Sequence, residues 1–86
     1  MTTITIRYWD ATTDRMVEYE GRVIRSGAGY GPGPSYGVLY RLSDGRYLGG
    51  MRHTDRGNLM TDVRIGPTRA EALPQSARCR ARKYGW

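Results

Sequence analysis

Apolar and polar positions alternate most cleanly over residues 3–9, Thr-Ile-Thr-Ile-Arg-Tyr-Trp. Ile4, Ile6 and Tyr8 share one side and Thr3, Thr5, Arg7 and Trp9 the other, the period of two that marks a half-buried β-strand. Asp10-Ala11-Thr12-Thr13-Asp14 follows as a turn, because short polar side chains bond their own backbone. A second strand is expected over residues 16–25, with Val17 and Tyr19 inward and Glu18 and Glu20 outward. Unbroken alternation puts Ile24 on the polar side, so a bend or bulge is expected at Gly21.

The stretch Ser35–Arg52 organises the chain around a central hairpin. Asp44-Gly45 suits a two-residue type I′ turn, which needs positive φ at both central positions. That turn pairs Leu42 with Tyr47, Tyr40 with Gly49 and Val38 with Met51, and these six residues then share one face. Leu39, Arg41, Leu48 and Arg52 share the other. Gly49 and Gly50 admit the close approach of another backbone or a ligand, or hold a bulge. Residues 52–58 read as a polar loop, and Leu59–Ile65 as a last strand with Val63 and Ile65 on one face, ended by Gly66-Pro67.

From Thr68 the period changes. Thr68-Arg69-Ala70-Glu71 has the form of a capping box, and Ala70, Leu73, Ala77, Ala81 and Tyr84 fall within a stripe about 80° wide at helical spacing. Gly85 suits the left-handed position beyond a helix end, with Trp86 folding back on the last turn. Pro74 interrupts the stripe and costs a continuous helix about 3 kcal/mol. The stripe keeps phase across Pro74, which predicts one kinked helix; the alternative is a short turn over 69–73 and a second helix beginning at Pro74. The expected architecture is therefore α+β in a single domain, residues 1–86. It comprises a small antiparallel sheet of about five strands, possessing glycine bends that would let it curl, and one C-terminal helix packed on one face.

Composition narrows the chemistry. With 86 residues, one cysteine (Cys79) and one histidine (His53), neither a disulfide framework nor a zinc site can form within the chain. Cys79 is expected to be structural, and no cofactor is expected. The N-terminus lacks the basic and apolar regions of a signal peptide and no apolar run approaches a membrane span, which predicts a cytoplasmic protein. The glycine- and proline-rich segment 26–35 lacks both the G-x-G-x-x-G and the G-K-[ST] spacing, so it is a connection and not a nucleotide loop, with Tyr30 as its one large side chain.

Charge is what points to a partner. The formal net charge is +6, and the 14 basic residues are all arginine apart from Lys83. Guanidinium matches phosphate bidentately and stacks on flat rings. No acid follows Glu71, so Arg78, Arg80, Arg82 and Lys83 stand uncompensated on the helix flanks with Arg69 before them. On the sheet, Tyr36, Tyr40 and Tyr47 with Arg41, Arg46 and Arg52 supply the aromatic-plus-basic mixture that stacks bases and holds phosphates.

The leading expectation is a non-catalytic module binding nucleic acid or a nucleoprotein complex through Arg41, Arg46, Arg52, Arg69, Arg78, Arg80, Arg82, Lys83, Tyr30 and Tyr36. The alternative is a small inhibitor or adaptor of the kind phages and mobile elements encode, anti-CRISPR-like, docking on a host protein complex through Trp9, Tyr30 or Trp86. A third reading is a metal-independent ribonuclease with His53 as base. Oligomeric state is left open, a homodimer through a sheet edge included.

Overall fold

The computed structural model describes residues 3–29, 36–52, 61–75 and 78–86. Its strands are β1 (Ile4–Asp10), β2 (Arg15–Gly29), β3 (Tyr36–Leu42), β4 (Tyr47–Arg52) and β5 (Thr61–Gly66). They form one antiparallel sheet in the order β1-β2-β3-β4-β5, and two short helices follow, α1 (Arg69–Ala72) and α2 (Arg78–Lys83). The expected sheet is present; the single kinked helix is not.

The β1–β2 hairpin forms as its alternation demands. Asp10 pairs with Arg15, and the Asp10 carboxylate accepts the Thr12 amide at 2.9 Å, the local bond expected of that turn. Pairing runs without interruption through Gly21, which sits opposite both Ile4 and Leu42. The expected bulge is therefore not at Gly21. Glycine is needed there for room, because a Cβ would lie 2.6 Å from the Arg41 carbonyl oxygen. The register shifts instead come after Val23 and after Ser26, and β2 continues to Gly29 opposite Tyr36. Part of the segment expected to be a loop is thus strand.

The β3–β4 hairpin departs from expectation by one residue, with large effect. Gly45 has φ +96°, but Asp44 is not in the left-handed region, so the type I′ turn does not form. Ser43, Asp44 and Gly45 make a three-residue loop closed by Leu42 N–H to Arg46 O at 2.8 Å and Gly45 N–H to Leu42 O at 3.0 Å. Pairing becomes Tyr40 with Leu48, Leu39 with Gly49 and Arg41 with Tyr47. A slip of one residue moves every β4 side chain to the opposite face. Leu48 and Arg52 join Val38, Tyr40 and Leu42, whereas Tyr47, Gly49 and Met51 join Leu39 and Arg41.

Both faces of the central strands are consequently core. On one, Ile6, Val38, Tyr40, Leu42 and Leu48 are buried together, with Ile4, Tyr8, Tyr19, Val63 and Ile65 packed around them. That cluster draws on all five strands. In a flat sheet the outer two would be about 19 Å apart, so the sheet curls around it.

On the other face Leu39 and Met51 meet Ala72, Leu73 and Ala81, with Ile24, Tyr47 and Trp86 beside them. Ile24, out of place for one apolar face, belongs to this second core.

The helical segment is shaped by Gly49 and Pro74. Thr68 caps α1, its hydroxyl accepting the Glu71 amide at 3.3 Å. The chain then leaves the helix at Leu73 (φ −66°, ψ 129°), the extended backbone that a following proline favours. Pro74 is buried and belongs to neither helix, so the second helix does not begin there. The apolar stripe does not survive this break: Leu73 and Ala81 are buried, but Ala70 and Tyr84 are exposed. The end of α2 is as expected. Gly85 has φ +79°, Trp86 N–H reaches Ala81 O at 3.0 Å and Gly85 N–H reaches Arg82 O at 3.1 Å, a Schellman closure.

Candidate functional site

The sheet register sorts the cationic side chains. Among the described residues three arginines are each held by a carboxylate: Arg7 by Glu18 at 3.1 Å, Arg46 by Asp44 at 2.7 Å and Arg64 by Asp62 at 3.7 Å. Arg64 also donates to Gln75 at 3.1 Å. Arg46 is fixed twice over, since Asp44 additionally accepts its backbone amide at 2.9 Å. These bonds hold the Asp44 carboxyl below its usual range and the Arg46 guanidinium above its own. Arg46 lies 5.4 Å from the centroid of Tyr19, which in turn stacks on Tyr8 at 6.3 Å.

The aromatic-plus-basic group expected on the sheet is divided between its two faces. Tyr36, Tyr40 and Arg52 lie on the curled side. Arg52 Nε donates to the Tyr36 hydroxyl at 3.0 Å, and its guanidinium carbon is 5.2 Å from that ring's centroid. Burial works against this charge, but the Tyr36 hydrogen bond and the nearby Tyr40 outweigh it, and the guanidinium sits above its ordinary value. Arg52 is a half-buried cation anchored to Tyr36.

Arg41 and Tyr47 lie on the helix-bearing face, directly opposite each other. Arg41 Nη1 donates to the Tyr47 hydroxyl, and its Cζ is 4.7 Å from the ring centroid. Arg69, at the start of α1, brings a second guanidinium to the same ring at 6.0 Å. Arg22 stands across the β2–β3 ladder from Arg41. Among the described residues none of these three arginines is ion-paired. The structure brings together Arg41 and Tyr47, both read as sheet residues, and Arg69, read as a helix-flank residue, with Arg22 across the ladder as a residue the sequence reading did not name. Arg22 was missed because strand spacing alone does not reveal its partner across the ladder.

On α2, Arg78 is half-buried and its Nη2 donates to the Leu73 carbonyl at 3.4 Å, bracing the break at Pro74. Arg82 and Lys83 are exposed and carry no carboxylate partner among the described residues. Cys79 is exposed, so it fills no core position. Trp86 is partly buried against the second core, whereas Trp9 and Met16, paired across the β1–β2 ladder, are 55% and 54% exposed. Tyr30 and His53 lie outside the described residues, as does the side chain of Arg80.

Among the described residues no His, Cys, Asp and Glu side chains gather in the threes a metal site needs, and no helix is long and apolar enough to cross a membrane. Compared with known proteins, the chain matches no family model, no curated protein and no solved structure.

Proposed function

We propose that this is a non-catalytic module that binds nucleic acid, alone or in a nucleoprotein complex, through its helix-bearing face. The observation that carries the reading is the gathering of Arg41 and Arg69 on the Tyr47 ring without a carboxylate partner among the described residues, while Arg7, Arg46 and Arg64 are each ion-paired. Guanidinium groups held by an aromatic ring keep donors for phosphate and present a flat surface on which a base can stack. Arg82 and Lys83 extend the positive field along α2. Arg46 and Arg52 serve the fold in this reading, and Arg78 braces the helix break.

The test is binding to duplex DNA and to single-stranded RNA over a salt series, because release of counterions makes affinity fall steeply with salt. Neutralising Arg80, Arg82 and Lys83 together, and leaving Arg78 to brace the helix break, weakens binding to every sequence alike. Tyr47→Ala lowers affinity about two- to fivefold, the scale of an exposed cation–π contact, and Tyr47→Phe retains most of it. Absent binding at low salt, or binding indifferent to salt, rejects the proposal.

The exposed Trp9–Met16 pair favours a second reading, docking on a protein complex through the β1–β2 hairpin, since exposed tryptophan is a frequent interface anchor. That reading requires a partner retained after nuclease treatment and lost in a Trp9→Ala, Met16→Ala variant.

A further inference from the structure

A shallow depression of about 220 Å³ opens where β1, β2 and the β3–β4 turn meet, lined by Thr3, Gly21, Arg22, Arg41, Leu42 and Ser43. Its polar lining residues are two arginines, a threonine and a serine, which carry guanidinium groups and hydroxyls. All are hydrogen-bond donors, and none is an obligate acceptor.

Packing does not account for the arginines. Arg22 and Arg41 occupy directly opposed positions on neighbouring strands, where like charges destabilise a sheet. Neither is ion-paired among the described residues. The acid two positions before Arg22 on the same strand, Glu20, is engaged elsewhere, its Oε1 accepting the Thr5 hydroxyl at 2.8 Å.

Arg41 is already oriented by Tyr47, with Nη1 on the hydroxyl and Cζ 4.7 Å from the centroid. That uses one of five N–H donors and leaves the others for a ligand. The Ser43 amide is spent on the Glu20 carbonyl at 2.9 Å, so Ser43 brings only its hydroxyl. An anion accepting from Arg22 and Arg41 would remove the repulsion between them and satisfy the whole donor set.

We infer that this notch takes a phosphate group of a nucleic acid, with Arg22 and Arg41 gripping its oxygens from two sides and Thr3 and Ser43 donating from the rim. The inference rests on the nucleic-acid reading and locates one backbone contact within it. Tetrahedral phosphate, having several acceptor oxygens, suits a pair of guanidinium forks on opposed strand positions better than a single carbonyl would.

The experiment titrates the full chain with a short single-stranded RNA and with a free mononucleotide across a salt series, comparing the parent with Arg22→Gln, Arg22→Lys and, at an exposed arginine away from the notch, Arg15→Gln. Arg22→Gln is expected to weaken RNA binding about tenfold and to reduce the log–log salt slope by roughly one phosphate contact. Its thermal midpoint is expected to be no lower than the parent's, because a like-charge neighbour is removed. Arg22→Lys, which keeps charge but not the fork, recovers the salt slope and only part of the affinity.

Loss of mononucleotide binding in Arg22→Gln assigns the notch to a terminal phosphate. Loss confined to the RNA assigns it to a phosphodiester within the chain. The notch is overturned if the parent binds RNA and Arg22→Gln matches it in affinity and slope, or loses no more than Arg15→Gln. A parent that binds no RNA defeats the nucleic-acid reading itself, a separate outcome.

Discussion

The backbone of Ala72 lies directly on Gly49: a Cβ at position 49 would stand 1.9 Å from the Ala72 carbonyl oxygen. This contact sets the height of α1 above β4. It also brings Arg69 to the Tyr47 ring, two residues back along the strand, at 6.0 Å. Fold and candidate site are joined through one missing methyl group.

Gly49→Ala is therefore expected to destabilise the protein by about 3 kcal/mol or more, since the obstructing atoms belong to backbone that has no rotamer to escape into. Gly45→Ala meets open space, and its cost, about 1 kcal/mol, comes from its φ of +96° alone. Urea unfolding of the two variants separates steric conflict from backbone conformation. Equal costs would contradict the seating of α1 on β4.

Leu48 tests the register. It is fully buried in the curled core, whereas Tyr47 beside it is half-buried. Leu48→Ala should cost about 2–5 kcal/mol, a large share of the stability of so small a domain. Leu48→Met, which conserves volume, should cost less than about 1.5 kcal/mol. A pairing shifted by one residue would place Leu48 on the opposite face and change its packing partners. A double-mutant cycle between Leu48 and Tyr40 measures the coupling expected of this register.

Thr68 carries the first turn of α1, accepting the Glu71 amide. Thr68→Ala should lose about 1 kcal/mol in thermal or urea unfolding, with Thr68→Ser close to the parent. Because α1 also positions Arg69, Thr68→Ala should weaken nucleic-acid binding modestly as well.

Acid should act on the β3–β4 turn. The Arg46 side chain and amide hold the Asp44 carboxyl below its ordinary 3.8 in the folded state. A lowered folded value means that its contribution to stability is present above the ordinary value and is lost as pH falls through the depressed one. Asp44→Asn should flatten that part of the acid limb in a series of unfolding midpoints against pH. An unchanged limb would show that the turn does not depend on the carboxylate.

Several elements were legible because their signals are local. Thr68 and Glu71 stand three residues apart as a cap requires, Gly85 supplies the positive φ at the end of α2, and Ile4, Ile6 and Tyr8 alternate along β1. The helix break at Pro74 was half legible. Proline signalled it, but the apolar stripe kept phase and suggested a kink. What decided the matter was the burial of Pro74 and Leu73 against the sheet, where the extended backbone at Leu73 lets the chain cross Gly49. The candidate site was less legible still. Arg41 and Arg69 are 28 positions apart, and they meet only because Tyr47 faces the helices.

Taken alone, the amino-acid order determined the kind of most elements, since caps, turns and alternation act over a few residues, but not the extension of β2 to Gly29 or the division of the helical segment at Pro74. The register of β4 and the choice of arginines that are neutralised or left open were decided only in the folded molecule. Val38-Leu39-Tyr40 is apolar without alternation, and both sides of it are buried, so the local pattern favours neither face. The loop from Ser43 to Gly45 and the packing of Ala72 on Gly49 select one register, and the distribution of charge follows from it.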